Sequence, residues 1–145
     1  MSKSIRKIYL RELYIIYSFH YAKECYHRGM KTYTGSCHCG KVSFEVDTEL
    51  DKVISCNCSI CLKRGLLLTF VPASQFRLRL GEGELKDYRF NTMRIRHRFC
   101  KECGVEAFGM GKSPDGSESV AVNVRCIDGV DLDDIEATPF DGKNL

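Results

Sequence analysis

The sequence has no tryptophan, three prolines, and no apolar run near the roughly 18–20 residues that a bilayer-crossing helix requires. A membrane-spanning helix is therefore excluded. No cleavable secretory leader is recognisable either, because IYLRELYIIYSFHYA carries Arg11 and Glu12 inside what would be its apolar region. The expected location is cytoplasmic and reducing. No internal repeat or low-complexity tract occurs. Excess charge of either sign is also missing from the body of the chain. The formal net charge of +3 comes from residues 1–31, where seven basic residues face two acidic ones, a net +5. The remaining 114 residues hold 15 basic and 17 acidic side chains, a net of −2, so a nucleic-acid partner is not expected.

At 145 residues the chain makes one domain, large enough to bury a core without disulfides. Residues 1–29 differ in character from the rest. Ile8, Leu10, Leu13, Ile15 and Ile16 allow one irregular amphipathic helix, but the run breaks at His27-Arg28-Gly29 and MKTYTGSCHCG reads as a natural start at Met30. The segment 1–29 is therefore expected to be an upstream extension or a mis-set start, and 30–145 the domain. His20, Cys25 and His27 lack a fourth ligand or a turn signal and are expected to be incidental.

From residue 31 the pattern is mainly β. In KVSFEVD, Val42, Phe44 and Val46 alternate with Lys41, Ser43 and Glu45, as in a half-buried strand. LLLTFV (66–71) suits a buried strand ended by Pro72, and FRLRL (76–80) alternates up to the GEG turn signal. In MRIRHRF, Ile95, His97 and Phe99 share a face opposite a stripe of Arg94, Arg96 and Arg98, read as solvated arginines. VEAFGM and VAVNVRC continue the series, and short strands at close intervals predict an antiparallel sandwich or curled sheets. The one helical candidate in the body is SICLKRG, with Gly65 placed to end it.

Cysteine is what the chain has in plenty. Seven of its nine cysteines fall in CHC (37–39), CNCSIC (56–61) and CKEC (100–103). An odd, clustered set in a cytosolic chain points to metal rather than disulfides. Cys-x-Cys in an extended segment puts both sulfurs on one side. Cys-x-x-Cys followed by Gly104 is a zinc-knuckle turn, in which glycine takes positive φ and backbone N–H groups turn toward the thiolates; Cys39-Gly40 repeats the sign. Two pairs close one tetrahedral site, which assigns Cys37, Cys39, Cys100 and Cys103 to a structural zinc. The triple Cys56, Cys58 and Cys61 then holds a second zinc with one open position, the arrangement of a catalytic site. An iron–sulfur cluster is the competing all-thiolate assignment, but it calls for four cysteines. His38 should face away from the sulfurs, His97 reads as a core or cleft histidine, and Cys126 as a small buried hydrophobe.

On GSCHCGKVSFEV, CNCSIC, FCKECG and VAVNVRCIDGVDLDDI…FDGKN, residues 31–143 resemble the glutathione-dependent formaldehyde-activating enzymes and their relatives, including the centromere protein V group. The resemblance implies a β-tent of folded antiparallel sheets with a structural and a catalytic zinc, and the helix read at SICLKRG falls beside the second. Matched by position, its ligands divide as the counting does. It further implies a carbon–sulfur lyase or synthase joining glutathione and formaldehyde into S-hydroxymethylglutathione. This body is shorter than the glutathione-specific members, which widens the expected substrate to a thiol–aldehyde adduct in general. A non-catalytic zinc module that binds a partner is the alternative, and a thiol redox protein using Cys58 and Cys61 a third reading.

Overall fold

The computed structural model describes residues 29–112 and 115–144. Residues 1–28, with the helix their pattern allows and with His20, Cys25 and His27, lie outside them. In chain order the described elements are β1 (Lys31–Ser36), β2 (Ser43–Thr48), β3 (Val53–Cys56), α1 (Ser59–Arg64), β4 (Leu67–Pro72), β5 (Phe76–Leu80), β6 (Leu85–Tyr88), β7 (Arg96–Cys100), β8 (Glu106–Lys112), β9 (Glu118–Asn123) and β10 (Ala137–Phe140). Strands β1, β2 and β5 pair antiparallel in a small sheet, and the other seven form a larger one in the order β10-β3-β4-β9-β8-β7-β6. The fold is mainly β with one short helix, as the alternation predicts. No described helix is long and apolar enough to cross a membrane.

The alternation in β2 decides which face is buried. Val42, Phe44 and Val46 are all within 1 % of complete burial, while Glu45 and Asp47 on the other face hold Arg77 across the sheet. Phe44 and Phe108 carry the core across from one sheet to the other, each meeting Phe76, at 5.3 and 4.6 Å between ring centroids. Each such ring taken from water contributes about 1.5–3 kcal/mol. Val120 and Val122 complete the cluster from β9, and Val124 in the turn after it is buried too. Cys126, in the same turn, is buried as expected, and burial pushes its thiol up to about 11.

Two expectations need correction. The sheets are antiparallel except at one edge, where β10 lies parallel to β3. This strand returns after the turns that follow β9, and an edge position tolerates Pro139, which has no N–H to give. The second concerns the arginine stripe. Arg96 and Arg98 do share a face, since both reach Asp87, but on this strand both faces are covered. His97 and Arg98 are therefore both buried, at 8 % and 7 % exposure. Arg98 is not solvated. It is held by Glu82 (2.7 Å) and Asp87 (3.0 Å) and lies over the Phe108 ring. Arg96 also pairs with Asp87, at 2.6 Å, so the stripe offers little unpaired positive charge to a nucleic acid.

Candidate metal centres and an adjoining cavity

The four-cysteine group forms where two turns meet. Cys37 and Cys39 lie in the turn after β1, while Cys100 ends β7 and Cys103 lies in the turn that follows. Both turns rest on glycine in the left-handed region, Gly40 at φ +78° and Gly104 at φ +73°, where a side chain would be strained. The Val42 N–H donates to Cys37 Sγ at 3.4 Å, and Gly104 N–H to the Cys100 carbonyl at 2.9 Å. Cys39 Sγ lies 3.6 Å from both Cys37 Sγ and Cys100 Sγ. A tetrahedron with zinc–sulfur arms of about 2.3 Å has edges of about 3.8 Å, so the spacing fits a metal cage and is far from a disulfide bond. The Lys41–Glu102 ion pair at 2.9 Å joins the same two turns.

The electrostatics of this group also favour a cation. The Lys41 N–H acts to lower the Cys39 thiol, but burial and the three neighbouring thiols outweigh it and push Cys39 up to about 12. Burial works upward on Cys103 as well, yet N–H groups of Val105 and Cys39 and the adjacent thiols bring it down to about 6. Four sulfurs in contact do not ionise together without positive charge among them.

Cys56 ends β3, Cys58 sits at the helix entrance, and Cys61 lies in the first turn of α1. Gly65 ends the helix at φ +62°, as predicted. The three sulfurs lie within 4.8 Å of one another, and among the described residues no fourth His, Cys, Asp or Glu joins them at that reach. Burial, with the Cys58 and Cys56 thiols, pushes Cys61 well above the ordinary thiol range. Burial also raises Cys56. Cys58 goes the other way: burial is outweighed by N–H groups of Cys61 and Ile60 and by the neighbouring thiols. Softness of the donors, their number and their crowding fit a thiophilic ion such as zinc.

A C-terminal strap closes one side of the trio. Asn57 N–H donates to the Phe140 carbonyl at 3.0 Å, Asn57 Nδ2 donates to Asp141 at 2.8 Å, and Lys143 N–H donates to Asn57 Oδ1 at 2.8 Å. Hydrogen bonds from Asn144 and Asn57 hold the Asp141 carboxyl below its usual range. The strap passes so near that a Cβ on Gly142 would lie 2.6 Å from Cys56 Sγ. Glycine is required there by space alone.

The trio forms part of the wall of a cavity of about 230 Å³. Its other walls are largely apolar, with Ile54, Leu66, Phe70, Phe90, Ile95 and Phe140 among them, and the polar exceptions are His97, Glu106 and Asn123. His97 Nδ1 is 2.8 Å from Glu106 Oε1, and Phe90 stacks on the imidazole with centroids 5.4 Å apart. Arg64 Nη1 from α1 approaches Glu106 Oε2 to 3.0 Å, but it is not aimed as a hydrogen bond, and Oε2 is buried without a directed partner. His38 is exposed and is not among the residues that gather with the sulfurs. Sequence reasoning found the seven sulfurs and placed His97 in a core or cleft; it missed Glu106, Arg64, Asn123 and Gly142. The only signal for Glu106 was an acid heading the apolar run VEAFGM.

A family model described as glutathione-dependent formaldehyde-activating enzyme matches residues 32–139. Among solved structures, the chain is similar to a crystal structure of a Rhodobacter sphaeroides protein. The two are 31% identical, with a TM-score of 0.65, over 73% of this chain and 97% of that one.

Proposed function

The chain belongs to the glutathione-dependent formaldehyde-activating enzyme family, and on that premise we propose that it is a zinc-dependent carbon–sulfur lyase or synthase acting on a thiol–aldehyde adduct. Glutathione and formaldehyde, giving S-hydroxymethylglutathione, are the pair that the family description favours. The observation that carries this reading is the unequal division of sulfurs: four converge between two turns, and three converge on a cavity where, among the described residues, no fourth His, Cys, Asp or Glu joins them. Cys37, Cys39, Cys100 and Cys103 would hold the structural ion, and Cys56, Cys58 and Cys61 the catalytic one. A zinc ion at the trio supplies a Lewis-acid position that keeps a bound thiol ionised at neutral pH.

The protein's own groups supply the rest. The Asn57–Asp141 and Asn57–Lys143 hydrogen bonds fix the strap against the trio, so the sulfurs are positioned before a substrate arrives. The apolar walls exclude water from the reacting carbon and hold the aldehyde beside the thiol, replacing a bimolecular encounter with a local one. The volume of about 230 Å³ accommodates an aldehyde carbon and the thiol-bearing arm of a larger molecule. The charged ends of a tripeptide find few partners among those walls and would extend to the mouth. Residues 30–145 form the catalytic domain in this reading, and so many free thiols suit a reducing compartment such as the cytoplasm.

The test is titration of the cobalt-substituted protein with thiols, preceded by metal analysis. Close to two zinc ions per chain are expected, and a thiol entering an open position changes the cobalt spectrum. One ion per chain, or no spectral response across a panel that includes glutathione, would remove the catalytic reading and leave a non-catalytic zinc module.

A further inference from the structure

We propose that His97 is the proton-transfer residue of the cavity and that Glu106 is the group that positions it. This rests on the thiol–aldehyde reading above and deepens it at residues that the sulfur count does not involve. His97 Nδ1 is 2.8 Å from a carboxylate oxygen, which can only accept, so Nδ1 carries the hydrogen and donates. In the neutral ring that leaves Nε2 as the base. His97 lines the same cavity as the three cysteines, and Phe90 stacked on one face holds the imidazole plane.

A buried histidine–carboxylate pair can be a mere core contact, and two observations argue otherwise. Both side chains line the cavity rather than the packed core. Glu106 is 5 % exposed, yet its Oε2 lacks a directed hydrogen bond. A buried carboxylate is costly unless its charge is used or offset. Arg64 at 3.0 Å offsets part of it, and the remainder faces the imidazole, where it stabilises the positive charge that appears when Nε2 takes a proton. The Asn123 amide donates to the Glu106 carbonyl at 2.9 Å and holds that stretch of β8 in place. The charged or titratable groups around the ring are thus Glu106 from β8, Arg64 and Cys61 from α1, Tyr88 from β6, and Cys56 and Cys58 beside the helix entrance.

In the synthetic direction the thiol S–H bond breaks as the thiol enters, its proton moves to His97 Nε2, and the thiolate left behind is the form that an ion at the trio would stabilise. The sulfur electron pair attacks the aldehyde carbon and forms the C–S bond. The carbonyl π electrons move to oxygen, which takes the same proton back from Nε2. One proton enters His97 and one leaves, with no outside donor. In the lyase direction Nε2 removes the hydroxyl proton of the adduct, C=O forms, the C–S bond breaks with its electron pair going to sulfur, and the sulfur takes that same proton back from Nε2.

The experiment compares zinc-loaded wild type, His97→Gln and Glu106→Gln by exchange NMR with ¹³C-formaldehyde and either glutathione or 2-mercaptoethanol. His97→Gln should keep wild-type zinc content and cobalt spectrum but lose about 100-fold in rate, the lower end of what general acid–base catalysis supplies. Glu106→Gln should lose about tenfold. Nitrogen NMR of the imidazole should find the His97 proton on Nδ1 in wild type and shifted toward Nε2 in Glu106→Gln, a change that a packing role would not produce. If His97→Gln fails to fold, the Glu106→Gln rate and tautomer decide. Wild type inactive with both thiols would remove the parent reading. Wild type active with His97→Gln within threefold of it would overturn the shuttle alone. So would loss of metal in His97→Gln, which would make His97 a ligand, or an Nε2–H tautomer in wild type.

Discussion

Replacing Gly142 by alanine tests whether the strap and the three-cysteine group form one unit. The added Cβ would meet Cys56 Sγ at 2.6 Å and Cys58 Cβ at 3.1 Å. Ordinary non-bonded contacts of this kind are about 3.5–4.0 Å, so either the strap retreats by roughly 1 Å or Cys56 turns away from its neighbours. A retreat of that size stretches the Asn57–Phe140 and Lys143–Asn57 bonds, now 3.0 and 2.8 Å, beyond useful hydrogen-bonding distance. At about 1 kcal/mol each, the loss is about 2 kcal/mol, and it falls on an edge strand rather than on the aromatic core. Alanine at 142 should therefore lower zinc content from two toward one per chain and abolish the cobalt response to thiols. The global unfolding midpoint should fall by roughly 8 °C, with the transition still cooperative. Gly83→Ala is the control, since a Cβ there meets open space. Wild-type metal content and thiol response in Gly142→Ala would refute the claim that the strap's closeness fixes the trio.

The two sulfur groups should also respond differently to single substitutions. Cys58→Ser is expected to lose one zinc and remain cooperatively folded. Cys100→Ser should lose most of the native circular dichroism, because apparent binding energies on the order of 10 kcal/mol attach to a closed structural site. Equal behaviour of the two variants would mean the ligands are divided wrongly. On the opposite face of β2, the Arg77 guanidinium and the Thr32 hydroxyl hold the Asp47 carboxyl down to about 2. The folded value is below the unfolded one, so this contribution is complete above about pH 4 and is lost as pH falls toward 2. Asp47 is 28 % exposed, and screening reduces its worth to about 1 kcal/mol. Denaturation at several pH values should find Asp47→Asn less stable by that amount at pH 7 and equal to wild type near pH 2. The difference at each pH cancels the thiol protonation common to both, and a gap independent of pH would refute the assignment.

What could be read in the chain depended on whether a signal was local. Val42, Phe44 and Val46 announce a buried face because a regular strand alternates, and Gly40 and Gly104 announce turns because few residues tolerate positive φ. Sulfur spacing carried the grouping because each group occupies a few neighbouring positions. Reasoning failed where a distant partner decides the outcome. Alternation assigns Arg98 a face but not what covers it, and Glu82, Asp87 and Phe108 reach it from elsewhere in the chain, so it was misread as solvated. Glu106 gains meaning only from His97 across the sheet, and Gly142 only from a sulfur that the fold brings near it.

The two sulfur groups differ in one more respect, their distance along the chain. Cys39 and Cys100 are 61 residues apart, whereas Cys56, Cys58 and Cys61 fall within six consecutive positions. Closing the longer loop costs roughly 2 kcal/mol more in chain entropy, and it waits on the pairing of strands far apart in sequence, which is slow. During synthesis, then, the local triple emerges and can capture an ion while the partners of Cys37 and Cys39 have yet to be made. The chemistry would be loaded first and the brace last, so a shortage of metal late in folding would yield loosely structured chains that already carry an ion.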